Sequence, residues 1–192
     1  MDKTDEEIIT EFKDGKTESA SLLFDKYKSR IFNFSLRILG SRADAEDVTG
    51  EVFLALFAGK YTFDPKAKFS TWLFTVARNS CFSLIRKRKN VSGLCSTNRE
   101  GGRFEIQIQD SNDNSRETLE KNEAKLMVTK VISQLPLEQR EALVLREYEK
   151  MSYQEISHTL NVSLENVKIL IYRARETLKV QLSSFLNEEE KT

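Results

Sequence analysis

The residue types that most often perform catalysis are few and scattered in this chain. Its 192 residues include one histidine, His158, and two cysteines, Cys81 and Cys95. No second histidine or cysteine stands at metal-ligand spacing from His158, and the sequence has no Ser/His/Asp arrangement and no glycine-rich phosphate loop. We therefore expect no catalytic centre, no cofactor, no metal site and no small-molecule substrate, and we look for function in binding surfaces.

A strongly basic segment is hidden in a chain whose formal net charge is zero. Residues 61–99 contain eight basic residues and one acidic residue, whereas residues 1–60, 100–125 and 126–192 each carry a slight acidic excess. A local positive field attracts polyanions even when the total charge vanishes. The alternative is that these charges lie on a solvated helix face.

Aromatic and basic side chains are interleaved in this segment. The helix predicted from Ser70 to about Lys89 places one set of side chains within about 100° of one another, opposite its apolar side. That set is Thr71, Thr75, Arg78, Asn79, Phe82, Arg86 and Lys89, and the preceding loop adds Tyr61, Phe63, Lys66, Lys68 and Phe69. Cations follow phosphates and rings stack on unpaired bases, so this surface favours single-stranded nucleic acid and strand opening over duplex docking.

A cluster of carboxylates lies on the helix predicted from Arg42 to Ala58. Asp44, Asp47 and Glu51 fall within about 60° of one another, away from the apolar stripe. The cluster suits a basic partner surface. The preference of acids for a helix N-terminus is the alternative, and it accounts for the first two residues but not for Glu51.

The C-terminal part has the pattern of a helix-turn-helix. Ser152–Glu155 matches a capping box, Asn161 stands where a tight turn needs a left-handed residue, and Ser163 can cap the next helix. The side chains that point away from the apolar stripe of that last helix are Lys168, Ile169, Tyr172, Arg173 and Glu176. Cationic side chains there can reach guanine edges or phosphates, and an exposed isoleucine can touch a thymine methyl in a major groove.

The elements that position these surfaces are predicted to be helices throughout. Apolar residues recur at spacings of three or four along almost the whole chain. Gly40 is expected to end the first long helix, and Ser41 and Ser70 are expected to cap the next two. Cys81 is interpreted as a helix-packing residue, and His158 as a half-exposed residue without a special role.

The fold class that follows is all-α, with two small helical domains joined by a flexible linker. Residues 90–118 are rich in Asn, Ser, Asp, Gly and Thr and are typical of such a linker, with a short extended piece at 104–108 as the alternative. The longest apolar run has seven residues, against ~20 for a membrane span. The acidic N-terminus lacks an apolar signal core, so we expect a cytoplasmic protein that is not inserted in a membrane.

The motifs together resemble those of bacterial RNA polymerase sigma factors. The segments similar to sigma region 2 are Asp44–Phe53 and Phe69–Asn79, and those similar to region 4 are Leu135–Pro136, Arg140–Leu143, Ser152–Ile156 and Val167–Arg175. Only these two regions are recognised, which is the layout of the extracytoplasmic-function (ECF) sigma factors. The resemblance implies region 2 over residues 8–90, a linker over 91–116 and region 4 over 117–185.

The resemblance implies a transcription initiation factor that binds core RNA polymerase and promoter DNA and is not itself an enzyme. Asp44, Asp47 and Glu51 would dock on the coiled coil of the largest polymerase subunit, and region 4 would contact the polymerase flap. An anti-sigma factor would regulate the protein by occluding these faces.

The resemblance also divides the DNA contacts between the two regions. Region 2 would melt the minus-ten element and hold flipped bases through Phe63, Lys66, Lys68, Phe69, Arg78, Asn79 and Phe82, with Arg86 and Lys89 on the backbone. Trp72 is either a further contact or a core residue. Region 4 would read the minus-thirty-five element through Lys168, Ile169, Tyr172 and Arg173.

Four positions at three places depart from the usual family pattern. Gly50 replaces a glutamine on the polymerase-docking face, Ile169-Leu170 replaces a Ser-Arg pair, and Asn161 replaces a turn glycine. The second change removes one basic minus-thirty-five contact and predicts a less usual promoter sequence.

Two other classes of protein compete with this interpretation. A stand-alone helix-turn-helix regulator would bind duplex DNA tightly without polymerase, although residues 126–192 have little of the positive charge that drives such binding. An interaction protein that only borrows the fold would bind polymerase without opening promoters.

Overall fold

The computed structural model describes residues 3–16, 18–60, 63–64, 67–92 and 126–189, and helices are the regular elements in these ranges. The first four helices are α1 (Asp5–Lys13), α2 (Glu18–Leu39), α3 (Arg42–Phe57) and α4 (Phe69–Ser92). The last four are α5 (126–134), α6 (Leu137–Glu147), α7 (Tyr153–Leu160) and α8 (Leu164–Glu189). No strand occurs in the described ranges, which confirms the predicted all-α class.

The first four helices form one bundle around the apolar side of α2. The α2 residues buried at helical spacing include Leu23, Tyr27, Ile31, Phe34 and Ile38. Gly40 follows the helix in the left-handed region with φ 70°. The Ser41 hydroxyl then accepts from the Asp44 N–H at 3.4 Å and caps α3. These boundaries confirm the sequence prediction.

The start of α4 differs from the prediction. The helix begins at Phe69 rather than after Ser70, which lies inside its first turn and is 9% exposed. The Phe69 N–H donates to the Glu6 carboxylate at 2.9 Å. A carboxylate delivered by α1 therefore takes the capping position, and it also suits the positive end of the helix dipole.

The helix-turn-helix is confirmed in its local details. The Ser152 hydroxyl accepts from the Glu155 N–H, and the Glu155 carboxylate accepts from the Ser152 N–H, so the capping box is complete. Asn161 ends α7 in the left-handed conformation with φ 55°. The Ser163 hydroxyl accepts from the Asn166 N–H at 3.2 Å at the start of α8.

The two domains pack against each other through α6 on α2 and α7 on α4. Their buried apolar side chains form one connected cluster. A buried arginine, Arg140 of α6, donates to the carbonyl of Ile38 at 3.0 Å and to the carbonyls of Leu135 and Ser133. This guanidinium thus satisfies backbone acceptors at the ends of α2 and α5 and joins the two domains. The predicted linker, including Cys95 and the piece at 104–108, lies outside the described residues.

The side chain next to Arg140 is a fully buried carboxylate. Glu141 has a side chain that is 0% exposed, and its Oε1 lies 3.1 Å from Nε of Arg78 on α4. Burial raises the pKa of Glu141 to about 7, against the lowering effect of the Arg78 charge. Glu138 raises this pKa further and Arg140 lowers it.

The length and hydropathy of the helices can be compared with those of a membrane-spanning helix. Among the described residues, even the longest helices lack an apolar stretch of the length and hydropathy that a bilayer crossing requires.

The helical glycine Gly50 gives a first test of the fold. A Cβ added there meets no atom within 4 Å. We expect Gly50→Ala to stabilise the protein by about 0.5–1 kcal/mol, because glycine loses more backbone entropy than alanine inside a helix. Urea unfolding measures this change. Gly59→Ala is the matched control. Gly59 also has open space around it, but its φ is +67°, a conformation that is strained for alanine, so this variant should be less stable than the unmodified protein. A loss of stability in Gly50→Ala would show that α3 is not a regular helix at this point.

The Glu141 carboxyl makes stability depend on pH. Its pKa in the folded state, about 7, lies above its ordinary value of 4.5. Its stabilising contribution is therefore fully present below about pH 4.5 and is lost as the pH rises through about 7. We expect the difference in Tm between about pH 5.5 and pH 8 to shrink in Glu141→Gln, measured by circular dichroism. An unchanged difference would mean that Glu141 is not buried as described.

Candidate functional site

The acidic residues of α3 separate into two groups. Asp44 accepts from the Arg88 guanidinium of α4 with both carboxylate oxygens at 2.6 Å, and its side chain is 13% exposed. Asp47 and Glu51 are exposed, and among the described residues no cation lies within ion-pair distance of either. The structure thus brings Asp47 and Glu51 together at the surface and gives Asp44 a partner inside the domain.

Both carboxylates line a shallow groove of about 570 Å³. Its lining residues are Glu46, Asp47, Gly50, Glu51, Leu54, Ala55 and Lys60. We call it the α3 groove. Leu54 is 74% exposed, and the missing side chain of Gly50 leaves the groove open beside it. The surface can therefore bind a partner through one apolar contact flanked by negative charge. Sequence reasoning missed Leu54, although its spacing of seven residues from Asp47 puts it on the same face.

Two aromatic residues of the predicted minus-ten surface are buried. Phe63 is 2% exposed and Phe69 is 0% exposed, with their ring centroids 5.6 Å apart in an edge-to-face contact. Trp72 is partly buried and packs on both rings. These side chains close the core where α1, the loop and α4 meet, so in this conformation their faces are not available to bases.

Other residues of that predicted surface reach solvent along α4. Asn79 and Arg86 are exposed, and Phe82 is half-buried. The Arg78 guanidinium lies 4.5 Å from the centroid of the Phe82 ring. This gives α4 an adjacent cation, ring and amide, which is a suitable set for unpaired bases and phosphates. Lys66 and the side chain of Lys89 lie outside the described part of the chain.

Two cations of the same predicted surface are paired with the second domain. Arg78 contacts the buried Glu141, and Lys68 Nζ lies 2.6 Å from the Glu155 carboxylate of α7. The sequence predicts both cations at the surface, and the structure leaves 63% of the Lys68 side chain exposed but only 18% of the Arg78 side chain. Their partners are more than sixty residues away in the chain, so no local pattern indicates these pairs.

The predicted recognition surface of α8 is exposed. Ile169 is 46% exposed and Tyr172 is 66% exposed, and Lys168 and Arg173 stand beside them on the solvent side. Leu170, the neighbour of Ile169, is 6% exposed and belongs to the core side of the helix. The helix is anchored by the buried residues Val167, Ile171 and Ala174. A protruding face with two cations, an aliphatic side chain and a phenol can contact base edges and backbone in a groove.

The histidine, the cysteine and the carboxylates outside these surfaces form no catalytic or metal-binding cluster in the described ranges. His158 is exposed on α7, and Cys81 is buried in the helix packing as predicted. Burial raises the pKa of the Cys81 thiol to about 12, so the thiol is neutral and unreactive. No group of three or more His, Cys, Asp and Glu side chains is arranged to hold a metal ion within these residues.

Comparison with solved structures supports the fold. The structure of CnrH in complex with the cytosolic domain of CnrY aligns with a TM-score of 0.69 at 20% identity, over 95% of this chain and 99% of that one. The sigma factor RpoE in complex with the anti-sigma factor NepR from Bartonella quintana aligns with a TM-score of 0.69 at 21% identity, over 85% of this chain and 96% of that one. At these identities the likeness concerns the fold alone.

Sequence comparison identifies the family. Residues 23–91 match the family model of Sigma-70 region 2, and residues 125–178 match that of Sigma-70 region 4. The chain is 31% identical to the ECF RNA polymerase sigma factor SigW of Bacillus subtilis, over 91% of this chain and 94% of that one. It is 30% identical to SigM of the same organism, over 87% of this chain and 97% of that one. The chain therefore belongs to the ECF family of RNA polymerase sigma factors and is an alternative transcription initiation factor built from regions 2 and 4.

Proposed function

We propose that this factor binds core RNA polymerase through the α3 groove and reads two promoter elements through α4 and α8. The observation that carries the proposal is that the α3 groove and the outer face of α8 are both open in one molecule. One surface suits a basic protein partner and the other suits a DNA groove. The polymerase performs the chemistry, so the chain acts as a non-catalytic subunit in the cytoplasm.

The docking contact is proposed for Asp47, Glu51 and Leu54. The two carboxylates are exposed, so pairing with a basic coiled coil would break no ion pair described within the factor. Leu54 would add apolar contact at the centre of this surface. Asp44 would contribute to docking indirectly, through its ion pair with Arg88 of α4, rather than by contacting the polymerase.

The minus-ten contact is proposed for the exposed side of α4 and the loop before it. Lys66, Asn79 and Phe82 would hold unpaired bases, and Arg86 and Lys89 would contact the backbone. Lys68 and Arg78 would join them once released from region 4. Phe63 and Phe69 would support the surface from below, because both rings are buried in the domain core.

The minus-thirty-five contact is proposed for Lys168, Ile169, Tyr172 and Arg173 of α8. The cations would reach phosphates or guanine edges, and Ile169 would contact a thymine methyl. Region 4 would also contact the polymerase flap. An anti-sigma factor is proposed as the regulator, since RpoE of Bartonella quintana, which shares this fold, is described in complex with one.

Charge reversal in the α3 groove tests the docking proposal. We expect Asp47→Lys to weaken binding to core polymerase at least tenfold, because a cation would then face a basic partner. Fluorescence anisotropy of the labelled factor, titrated with core enzyme, measures the affinity. Asp25→Lys is the matched control, since Asp25 is an exposed aspartate of α2 outside the groove. Equal affinities of the two variants would contradict the assignment.

Removal of one cation from α8 tests the promoter contact. We expect Arg173→Ala to lower core-dependent transcription about tenfold, because one base or phosphate contact contributes about 1–3 kcal/mol. Lys179→Ala removes another exposed cation of α8 outside the proposed surface and should leave transcription unchanged. The loss should disappear on a template without a minus-thirty-five element. A loss of the same size on that template would show that Arg173 does not act by contacting the minus-thirty-five element.

A further inference from the structure

The first helix of the chain holds both ends of the loop that precedes α4. The Glu6 carboxylate accepts from the Phe69 N–H at 2.9 Å, where the loop enters α4. The Lys13 ammonium donates to the Phe63 carbonyl at 3.0 Å, where the loop begins. We call Glu6 and Lys13 the α1 clamp, and the residues between its two contact points, 64–68, the pre-α4 loop.

The spacing of the two side chains on α1 explains how one helix holds both ends. Glu6 and Lys13 are seven residues apart, so they lie within about 20° of the same helix face and about 10 Å apart along the axis. A carboxylate meets an N–H donor and an ammonium meets a carbonyl acceptor, and such charge-assisted bonds are the stronger kind. The rigid backbone of α1 therefore sets the separation of the two loop ends.

Helix α1 is itself anchored to α2. Asp5, the residue directly before Glu6, accepts from the Tyr27 hydroxyl at 2.5 Å and pairs with the Lys26 ammonium at 2.6 Å. Ile8 and Ile9 of α1 are buried in the domain core. The position of the α1 clamp is thus fixed by the bundle and not by the loop that it holds.

Aromatic packing fixes the same two loop ends from the inside. The Tyr27 and Phe69 rings meet edge to face with centroids 5.5 Å apart, and Phe69 meets Phe63 in the same way at 5.6 Å. The Lys13 ammonium also lies 5.6 Å from the centroid of the Phe63 ring. The rings define where the side chains of the loop ends lie, and the α1 clamp defines where their main-chain atoms lie.

The pre-α4 loop carries groups of the proposed minus-ten contact. Lys68 directly precedes the held Phe69 N–H, and its side chain is 63% exposed. The Ala67 N–H donates to the Asp64 carbonyl at 2.9 Å and joins the two sides of the loop. Because both hydrogen bonds of the α1 clamp end on main-chain atoms, they fix the place of the loop without using any of its side chains.

We propose that Glu6 and Lys13 are positioning residues for minus-ten recognition, which hold the pre-α4 loop in the geometry that captures unpaired bases. This inference rests on the proposed function for the identity of the DNA. The two residues act on the main chain of the loop and not on the DNA. A loop that is held before binding loses little freedom on binding, and a displacement of about 1 Å is enough to weaken a precise contact. Release of the clamp therefore lowers the discrimination between correct and incorrect bases.

The chain contains its own reporter for the position of the loop ends. Trp72 is its one tryptophan, and the indole is partly buried against both rings, with centroids 5.6 Å from Phe63 and 5.8 Å from Phe69. Quenching of its fluorescence by acrylamide measures how far solvent reaches this contact. The full chain can be used, without any label.

The first experiment compares the quenching of three variants. We expect Glu6→Ala and Lys13→Met to raise the quenching constant about twofold, because the loop ends open locally. Lys16→Met is the matched control, since it removes the same charge from an exposed lysine just beyond α1, whose ion pair is with Glu11. Its quenching should equal that of the unmodified chain. Unchanged quenching in both clamp variants would overturn the proposal.

The second experiment measures base preference by transcription with core polymerase. The template is a promoter that the unmodified chain selects from fragmented host DNA, prepared with each of the four bases at each minus-ten position. We expect the unmodified chain to discriminate about tenfold at its most selective position, and Glu6→Ala and Lys13→Met less than about threefold. Their affinity for core polymerase and their preference at the minus-thirty-five element should stay unchanged.

A conservative variant separates positioning from a general loss of structure. The Glu6→Gln side chain keeps an oxygen that can accept from the Phe69 N–H, so we expect it to retain the minus-ten preference. Lys13 is exposed, so Lys13→Met should fold with unchanged helicity by circular dichroism. A loss of transcription by the same factor on every template, with the base preference retained, would overturn the proposal.

These outcomes are distinguishable from a failure of the proposed function. If the clamp variants transcribe with unchanged base preference, the promoter function stands and only the positioning role is wrong. If the unmodified chain yields no core-dependent transcript, the promoter function is wrong, and the quenching of Trp72 alone decides whether Glu6 and Lys13 hold the loop.

Discussion

The burial of Arg140 and Glu141 between the two domains is the interaction on which the arrangement of the chain depends. Arg140 holds carbonyls at the ends of α2 and α5, and Glu141 is enclosed with Arg78. A buried charge that loses its partner costs about 3–5 kcal/mol, so as long as the two domains are packed together α6 has one position against region 2. The helix-turn-helix follows α6 directly, and its outer face on α8 consequently points to solvent.

The packing of the two domains leaves some of the proposed binding surfaces open and covers part of another. The α3 groove and the exposed face of α8 stay open, whereas part of the α4 surface faces region 4. Such a molecule could meet polymerase through the α3 groove while the proposed strand-binding surface of α4 is still partly occupied by region 4. This division is consistent with a factor that contacts single-stranded DNA only in the promoter complex. The individual pairs are modest in strength because most of them keep access to water, which allows the contact to be reversed.

The local structure could be predicted from the sequence, because helix periodicity and caps depend on residues within a few positions of each other. The burial of α2, the cap at Ser41 and the left-handed Asn161 are examples. The sequence does not predict the local structure correctly, or lacks a contact, where a residue far away in the chain supplies the hydrogen-bond or ion-pair partner. Glu6 of α1 takes the capping position at α4 that was assigned to Ser70, and region 4 carboxylates hold Lys68 and Arg78. Phe63 and Phe69 have the residue type of a stacking surface, but only the tertiary packing shows that their rings are buried.

The most direct test of the central claim is run-off transcription on fragmented DNA of the host, with core RNA polymerase alone and with the factor added. A promoter-specificity subunit predicts discrete new transcripts only when both proteins are present, and their upstream sequences should share two elements. Polymerase binding without new transcripts would contradict the claim and indicate an interaction protein. Tight binding of the chain to duplex DNA, with no effect on polymerase, would contradict it in favour of a stand-alone regulator.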